Sequence, residues 1–296
     1  MTLPNFLIIG AAKAGTTAIA EYLKQHPQIY MSSVKEPFFF SFEGQKLDFR
    51  GPGDSEAFHL AITDLADYRQ LFQGVENEVA IGEASTTYLY TPNAAERIHH
   101  YIPNVKLIAI LRNPVERAYA SYLHLIRDGN ETIMDFSEAL DREQQRINDN
   151  WMLLWHYQQV GFYYSQLNHY YNQFDPQQIK VYLYDDFKAD ALGLIKDILS
   201  FLNVDDTYTP DLSIRYNVSG IPKNRFLHNL ISGNNVLKKI AKPLFPRSLK
   251  QLIRTKNLEK PEMSKEVRER LVNLYREDIV KLQDLINRDL SQWLKV

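Results

Sequence analysis

The chain has 296 residues, of which 45% are apolar and 24% charged, and its formal net charge is −2. That balance fits a soluble globular protein and gives no global pull toward nucleic acid or an anionic membrane, so any anion site must be local. Cysteine is absent, which excludes disulfides, zinc thiolates and thiol nucleophiles and fits a reducing compartment.

The chain opens Met-Thr-Leu-Pro and enters an apolar run at once. No basic segment followed by an apolar one marks a signal peptide, and no apolar run nears the ~20 residues of a membrane span. The expectation is a soluble, cytoplasmic protein with no membrane span, forming one domain over residues 1–296. Phe6 to Ile9 reads as a buried strand. It leads through Gly10-Ala11-Ala12-Lys13-Ala14-Gly15 into a helix expected from Thr16 to Gln25. Pro27 disfavours continuing that helix. Ile29 to Met31 reads as a short strand, followed by Lys35-Glu36-Pro37 and three phenylalanines. Residues 43–60, with Gly44, Gly51, Pro52 and Gly53, read as a surface loop.

A helix is expected over Leu65–Phe72, a strand over Val79–Gly82 and a helix from Asn93 to Ile102. Val105 to Leu111 is a nearly unbroken apolar run, as a strand covered on both faces requires. It ends in Arg112-Asn113-Pro114 and leads to a helix over Val115–Arg127, where proline is tolerated in the first turn. Residues 135–175 read as mostly helical with breaks near Asn148 and at Gly161. A strand is expected over Ile179–Leu183 and an amphipathic helix over Ala191–Leu202. Residues 203–220 read as loop, and the chain from 224 onward as helical and polar. Residues 238–260 carry eight Lys/Arg and one acid, Glu259, and read as a solvated helical face, with a surface for an anionic acceptor such as a sulfated glycan as the alternative. The last helix is expected from Ser264 to about Leu290. Strands alternating with helices predict a three-layer α/β fold of the P-loop NTPase type, with a central parallel sheet and a helical C-terminal part. Loops 10–17, 83–88 and 112–121 then meet at the carboxyl edge of the sheet, where ligands bind in such folds.

Strand, Gly-containing loop and helix form a phosphate cradle, because loop N–H groups and the helix dipole face an anion. Lys13 adds a point charge, and the Thr16 and Thr17 hydroxyls add donors. The loop departs from a Walker A sequence, which ends Gly-Lys-Ser/Thr. Here Lys13 precedes Gly15 by two residues. A Walker B strand would end in an Asp for Mg²⁺, whereas the 105–111 strand ends in Arg112. An Arg fork with a hydroxyl, Arg112 and Ser121, suits a second phosphate. Asp185-Asp186 does follow a strand and supports an alternative, a Mg²⁺-dependent P-loop nucleotide kinase. A non-catalytic nucleotide- or glycan-binding module is the third reading.

Lys13-Ala14-Gly15-Thr16-Thr17 resembles the 5′-phosphosulfate loop of sulfotransferases that use 3′-phosphoadenosine 5′-phosphosulfate (PAPS), and Arg112 with Ser121 resembles their 3′-phosphate motif. The resemblance extends to Lys35-Glu36-Pro37, Gly82-Glu83-Ala84-Ser85, the 216–223 segment and the end of the chain, Arg288 to Leu294. The sequence is most similar to bacterial sulfotransferases related to the glycosaminoglycan-type enzymes. The resemblance implies in-line transfer of a sulfuryl group from PAPS to a hydroxyl or amine of a carbohydrate or small-molecule acceptor, with adenosine 3′,5′-bisphosphate (PAP) as product and no metal. It implies that Lys13 stabilises the leaving phosphate, that Glu36 is the general base, and that Lys35 contacts the sulfonate or orients Glu36. His124 and Glu83 are rival bases, while His26 is expected to be structural. Lys223, Asn224 and Arg225 lie where the family closes a basic segment over the 3′-phosphate.

Overall fold

A computed structural model describes residues 2–213, 220–222, 258–259 and 261–296. Strand β1 (Phe6–Gly10) leads to α1 (Thr16–Leu23) and β2 (Ile29–Met31). Three short helices follow, α2 (Phe39–Phe42), α3 (Asp54–Phe58) and α4 (Leu65–Gln70). Next come β3 (Ala80–Ala84), α5 (Ala94–Tyr101), β4 (Lys106–Leu111) and the long α6 (Pro114–Asp128). After it lie α7 (Phe136–Asp141), α8 (Glu143–Asn148), α9 (Tyr163–Gln173), β5 (Ile179–Leu183), α10 (Tyr184–Ala189) and α11 (Ala191–Leu202). A small antiparallel pair, β6 (Ile221–Pro222) with β7 (Leu258–Glu259), precedes α12 (Lys265–Ile286).

The five main strands form one parallel sheet in the order β2-β3-β1-β4-β5. Every residue of β1 is buried, as is β4 beyond Lys106, which is why both read as unbroken apolar runs. The connection from β1 leaves toward β2 and that from β4 toward β5. The crevice between β1 and β4 is therefore the switch point at which α/β sheets bind ligands. The expected α/β architecture, with three loops at the carboxyl edge of the sheet, is the one observed.

The loop expected over residues 43–60 is more ordered than its glycines imply. Phe49 stacks on Phe58 with ring centroids 4.6 Å apart, and Phe42 meets Phe58 at 5.4 Å. Burial of these rings folds Asp54–Phe58 into α3, which Gly53 starts at φ +79°, a conformation open to glycine at little cost. The 135–175 region is cut into three helices and two single 3₁₀ turns. Its aromatics are mainly core: Trp155, Tyr157, Tyr163 and Tyr170 are all buried. Among the described residues, no helix is long and apolar enough to cross a membrane.

One packing detail fixes the β1–β3 spacing. Gly82 pairs with Phe6, and a Cβ on Gly82 would lie 2.3 to 2.5 Å from the Phe6 ring. Phe6 is fully buried, so its ring has nowhere to go. Gly82→Ala is expected to destabilise the fold by about 1–3 kcal/mol, the usual cost of overpacking, read as a lower urea midpoint at unchanged slope.

Candidate functional site

The carboxyl edge carries a cavity of about 380 Å³. Its floor is the β1–α1 loop. Lys13 has φ +68° and Gly15 φ +90°, which turns the chain sharply from strand to helix. Gly15 is the N-cap of α1, no side chain caps that end, and the first turn holds no acid. The amide groups at this helix start therefore keep their affinity for an anion. Gly15 is also needed for space, since a Cβ there would lie 3.1 Å from the Tyr184 ring.

Arg112 joins the loop to the end of β4. Its Nη1 donates to the Lys13 carbonyl at 3.0 Å, its guanidinium lies 5.0 Å from the Tyr184 ring centroid, and Glu116 is 3.9 Å away. Asn113 caps α6 by accepting from the Val115 and Glu116 amides at 3.0 and 3.4 Å, with Pro114 in the first turn. Arg112 is thus released from capping duty and faces the loop.

The ammonium of Lys13 is pulled down to about 7, first by burial, then by the Arg127 guanidinium, with Arg112 and Lys35 adding to the effect and Asp128 opposing it. Several cations around one uncapped helix start are complementary to a polyanion. A bound phosphate or sulfate adds counter-charge to a cluster that Glu36, Glu116 and Asp128 balance only in part. The chemistry of the donors therefore fits the phosphosulfate expected from the sequence.

Facing this floor is the segment after β2. Glu36 has φ +56° and Phe38 φ +61°, on either side of Pro37. Left-handed backbone at a non-glycine residue is uncommon and persists when its surroundings hold it. The holding contacts come from the end of β3. Glu36 N–H donates to the Ala84 carbonyl at 3.0 Å. The Thr86 amide donates to Glu36 Oε2 at 2.8 Å, and the Thr86 hydroxyl lies 3.2 Å from both carboxylate oxygens. Lys35 Nζ is 3.0 Å from Glu36 Oε1. Phe38 N–H donates to Ser85 Oγ at 3.2 Å, and Ser85 donates in turn to Glu83 at 2.9 Å.

Of the residues singled out in the sequence, Lys13, Gly15, Thr16, Thr17, Lys35, Glu36, Arg112 and His124 all line this cavity. Ala14 is buried beneath the loop. Glu83 is buried and held by Tyr68 as well as Ser85. Burial pushes its carboxyl up to about 8, and the nearby Glu36 charge adds to this. Ser121 is buried too, and its hydroxyl donates to the Leu154 carbonyl at 2.9 Å instead of lining the cavity. His124, three residues on and most of a helical turn round, is the α6 side chain that reaches it. His26 is structural: Nε2 contacts the Asp205 carbonyl at 2.9 Å and Nδ1 accepts from the Gln28 amide at 3.0 Å. Asp185 and Asp186 lie in α10, paired with Lys188 at 2.6 Å and Arg288 at 2.9 Å. Lys223, Asn224 and Arg225 lie outside the described residues.

Sequence reasoning missed Thr86, Tyr184, Phe187 and the wall formed by Ala57, Leu60 and Met152–Leu154. For Thr86 a signal existed, because it sits in the 83–88 loop placed at the same edge. For the wall there was none.

The strand order, switch-point crevice and uncapped helix start define an α/β protein of the P-loop type. The chain belongs to the Sulfotransferase family, whose sequence profile matches residues 4–209. It is similar to human carbohydrate sulfotransferase 15, 28% identical over 249 residues, covering 68% of this chain and 44% of that protein. Human heparan sulfate glucosamine 3-O-sulfotransferase 3B1 is 26% identical, over 98% of this chain and 65% of that protein. The chain thus spans less than half the length of the first relative and about two thirds of the second. A solved sulfotransferase from Alicyclobacillus acidocaldarius superposes with TM-score 0.80 at 34% identity, covering 100% of both chains. A mouse sulfotransferase complexed with PAP shares the fold at TM-score 0.52 and 13% identity, over 96% of this chain and 86% of that one.

The depressed Lys13 leads to a test. Its folded-state value lies below that of a free lysine, so the unliganded protein binds fewer protons than the unfolded chain between about 7 and 10.5 and gains stability as pH rises through that window. An anion in the cradle reverses the shift. Binding of PAP at pH 8 is expected to take up protons, seen by calorimetry in buffers of different ionisation enthalpy, and its affinity to fall as pH rises above about 7. Lys13→Met removes the proton uptake.

Proposed function

We propose that this chain transfers a sulfuryl group from PAPS to a hydroxyl or amine of a carbohydrate or small-molecule acceptor. The observation that carries this reading is one cavity lined by both Lys13, at an uncapped helix start, and Glu36. Membership of the family and the PAP complex of a structural neighbour support the donor.

In this reading the α1 amides and the Thr16 and Thr17 hydroxyls bind the 5′-phosphosulfate. Arg112 offers its remaining N–H groups to the 3′-phosphate. Glu36 accepts the proton of the attacking hydroxyl, and the new O–S bond forms in line with the S–O bond that breaks. Lys13 stabilises the electron pair left on the bridging phosphate oxygen, where charge grows during transfer. Lys35 and Thr86 fix the Glu36 carboxylate at the cavity through hydrogen bonds to its two oxygens. His124 lines the same cavity and is the alternative proton acceptor. Glu83 fits the base role poorly, because it is fully buried and, unlike Glu36, does not line the cavity.

A nucleotide kinase would need Asp185 or Asp186 at the phosphates. Both are turned to cations elsewhere, so no observation favours that reading. A metal-free site is part of the proposal. PAP should bind equally well with Mg²⁺ or with a chelator, and incubation with PAPS and a mixed alcohol and sugar panel should release PAP. Mg²⁺-dependent phosphoryl transfer from ATP with no turnover of PAPS sinks it. Glu36→Gln should lower turnover by about 10²–10⁴-fold, the usual worth of a general base, while PAP affinity stays within about twofold. Near-normal turnover in that variant discards Glu36 as the base and turns attention to His124.

A further inference from the structure

The cavity has two unlike ends. The donor end holds the cations and hydroxyls described above. The other end is built by two chain segments distant in sequence, residues 51–60 and 150–157. From the first come Ala57 and Leu60, and from the second Met152, Leu153 and Leu154, with Phe38 beside them. Every one of these side chains is apolar. Leu60 is 56% exposed. A single exposed leucine is ordinary on a protein surface, but this one lines the same cavity as Phe38 and Glu36.

The wall is a built surface. Asp54 is buried and accepts from the Gly51 amide at 2.8 Å, the Met152 amide at 2.9 Å and the Trp155 indole at 3.1 Å. One carboxylate therefore locks the two segments together. Behind it, Arg146 forms a buried ion pair with Glu131 at 2.7 Å and packs over the Trp151 and Trp155 rings. His156 bridges Tyr90 and the Trp151 carbonyl at 2.9 and 3.0 Å. Rigid apolar walls with a few placed polar groups are how sites recognise small molecules.

Charge points the same way. Residues 43–62 contain four acids, Glu43, Asp48, Asp54 and Glu56, against Lys46 and Arg50. Residues 150–156 contain no Lys, Arg, Asp or Glu. A sulfated polysaccharide is a polyanion and needs a cationic track, which residues 43–62 and 150–156 do not offer; the basic stretch 238–260 lies almost wholly outside the described residues. The cavity cations are committed to the donor or, for Lys35, to Glu36 at 3.0 Å.

We infer that the acceptor is a small uncharged alcohol or phenol whose apolar body lies on the Phe38–Leu60–Met152–Leu153 wall, with its hydroxyl presented to Glu36. This rests on the sulfotransferase reading and departs from the acceptors for which the two human relatives are named. The step is the one already written: the acceptor O–H gives its proton to Glu36, its oxygen bonds to sulfur, and PAP leaves with the electron pair of the broken S–O bond. The product is a neutral alcohol converted to an amphiphilic sulfate monoester.

The test uses the whole chain, PAPS, and three acceptors: 2-naphthol, 1-octanol and heparan sulfate. PAP release gives kcat/KM for each, and PAP affinity is measured separately. Turnover of 2-naphthol or 1-octanol at least tenfold above heparan sulfate is expected, and the ratio of the two alcohols tells whether the wall prefers a flat ring or a chain. Leu60→Asp, at an exposed position that folding tolerates, should raise KM for the preferred alcohol by about tenfold or more, the scale of one lost apolar contact, with PAP affinity unchanged. PAP binding with no turnover of either alcohol, or faster turnover of heparan sulfate, overturns the inference and leaves the sulfotransferase reading standing. Absence of PAP binding overturns both.

Discussion

The hydrogen bond from Arg112 to the Lys13 carbonyl is the contact on which the site geometry depends. It spans 3.0 Å between the loop after β1 and the end of β4, the two strands that flank the switch-point crevice. Lys13 sits in left-handed backbone, which costs an ordinary L-residue roughly 1–2 kcal/mol. A charge-assisted bond from a largely buried guanidinium is of the size needed to hold it. Without that bond the loop loses its side-chain tie to the end of β4. The same arginine stacks near Tyr184, whose ring closes over Gly15. Arg112 is therefore first a clamp on the cradle and only then a candidate ligand group.

Glu36 obeys a parallel logic on the opposite wall. Its backbone is also left-handed, and its carboxylate is fixed by Thr86, fifty residues away in the chain. The support runs deeper through Ser85 to the buried Glu83 and Tyr68. A hydroxyl has one proton. When Ser85 gives it to Glu83, the serine oxygen must accept from Phe38, so Glu83 orients the turn that carries Glu36. Lys13 and Glu36, the two groups assigned to bond breaking and proton transfer, thus stand on strained backbone held from behind, as strained residues at active sites tend to be.

The sheet and its edge were legible in the sequence because β1 and β4 are buried on both faces and read as apolar runs, while the edge strand β5 keeps enough apolar residues to be read despite Lys180. The bounds of β5 and α11 match the expectation residue for residue. The phosphate loop was legible because strand, small residues and helix are contiguous. What stayed hidden depends on long-range contact or on helical phase. Residues 43–60 looked like plain loop because their glycines are local signals, whereas the Phe42, Phe49 and Phe58 packing that orders them is tertiary. The pairing of an Arg fork with a hydroxyl, and the resemblance to a 3′-phosphate motif, suggested that Ser121 faces the anion site with Arg112. Rotation of α6 instead points its hydroxyl at Leu154 and brings His124 to the cavity. Thr86 and the apolar wall join residues that no sequence window contains together.

The lock at Asp54 has a consequence for how such a protein changes over time. It ties residues 51–54 to 152–155 without touching the phosphate loop, Arg112 or Glu36. The apolar wall and the anion cradle are therefore supported by separate contacts within one cavity. Substitutions at Ala57, Leu60 or Met152–Leu154 would change the shape of the cavity without altering Lys13, Arg112 or Glu36. A lineage built this way can diversify its substrates by small steps, each leaving a working engine behind it.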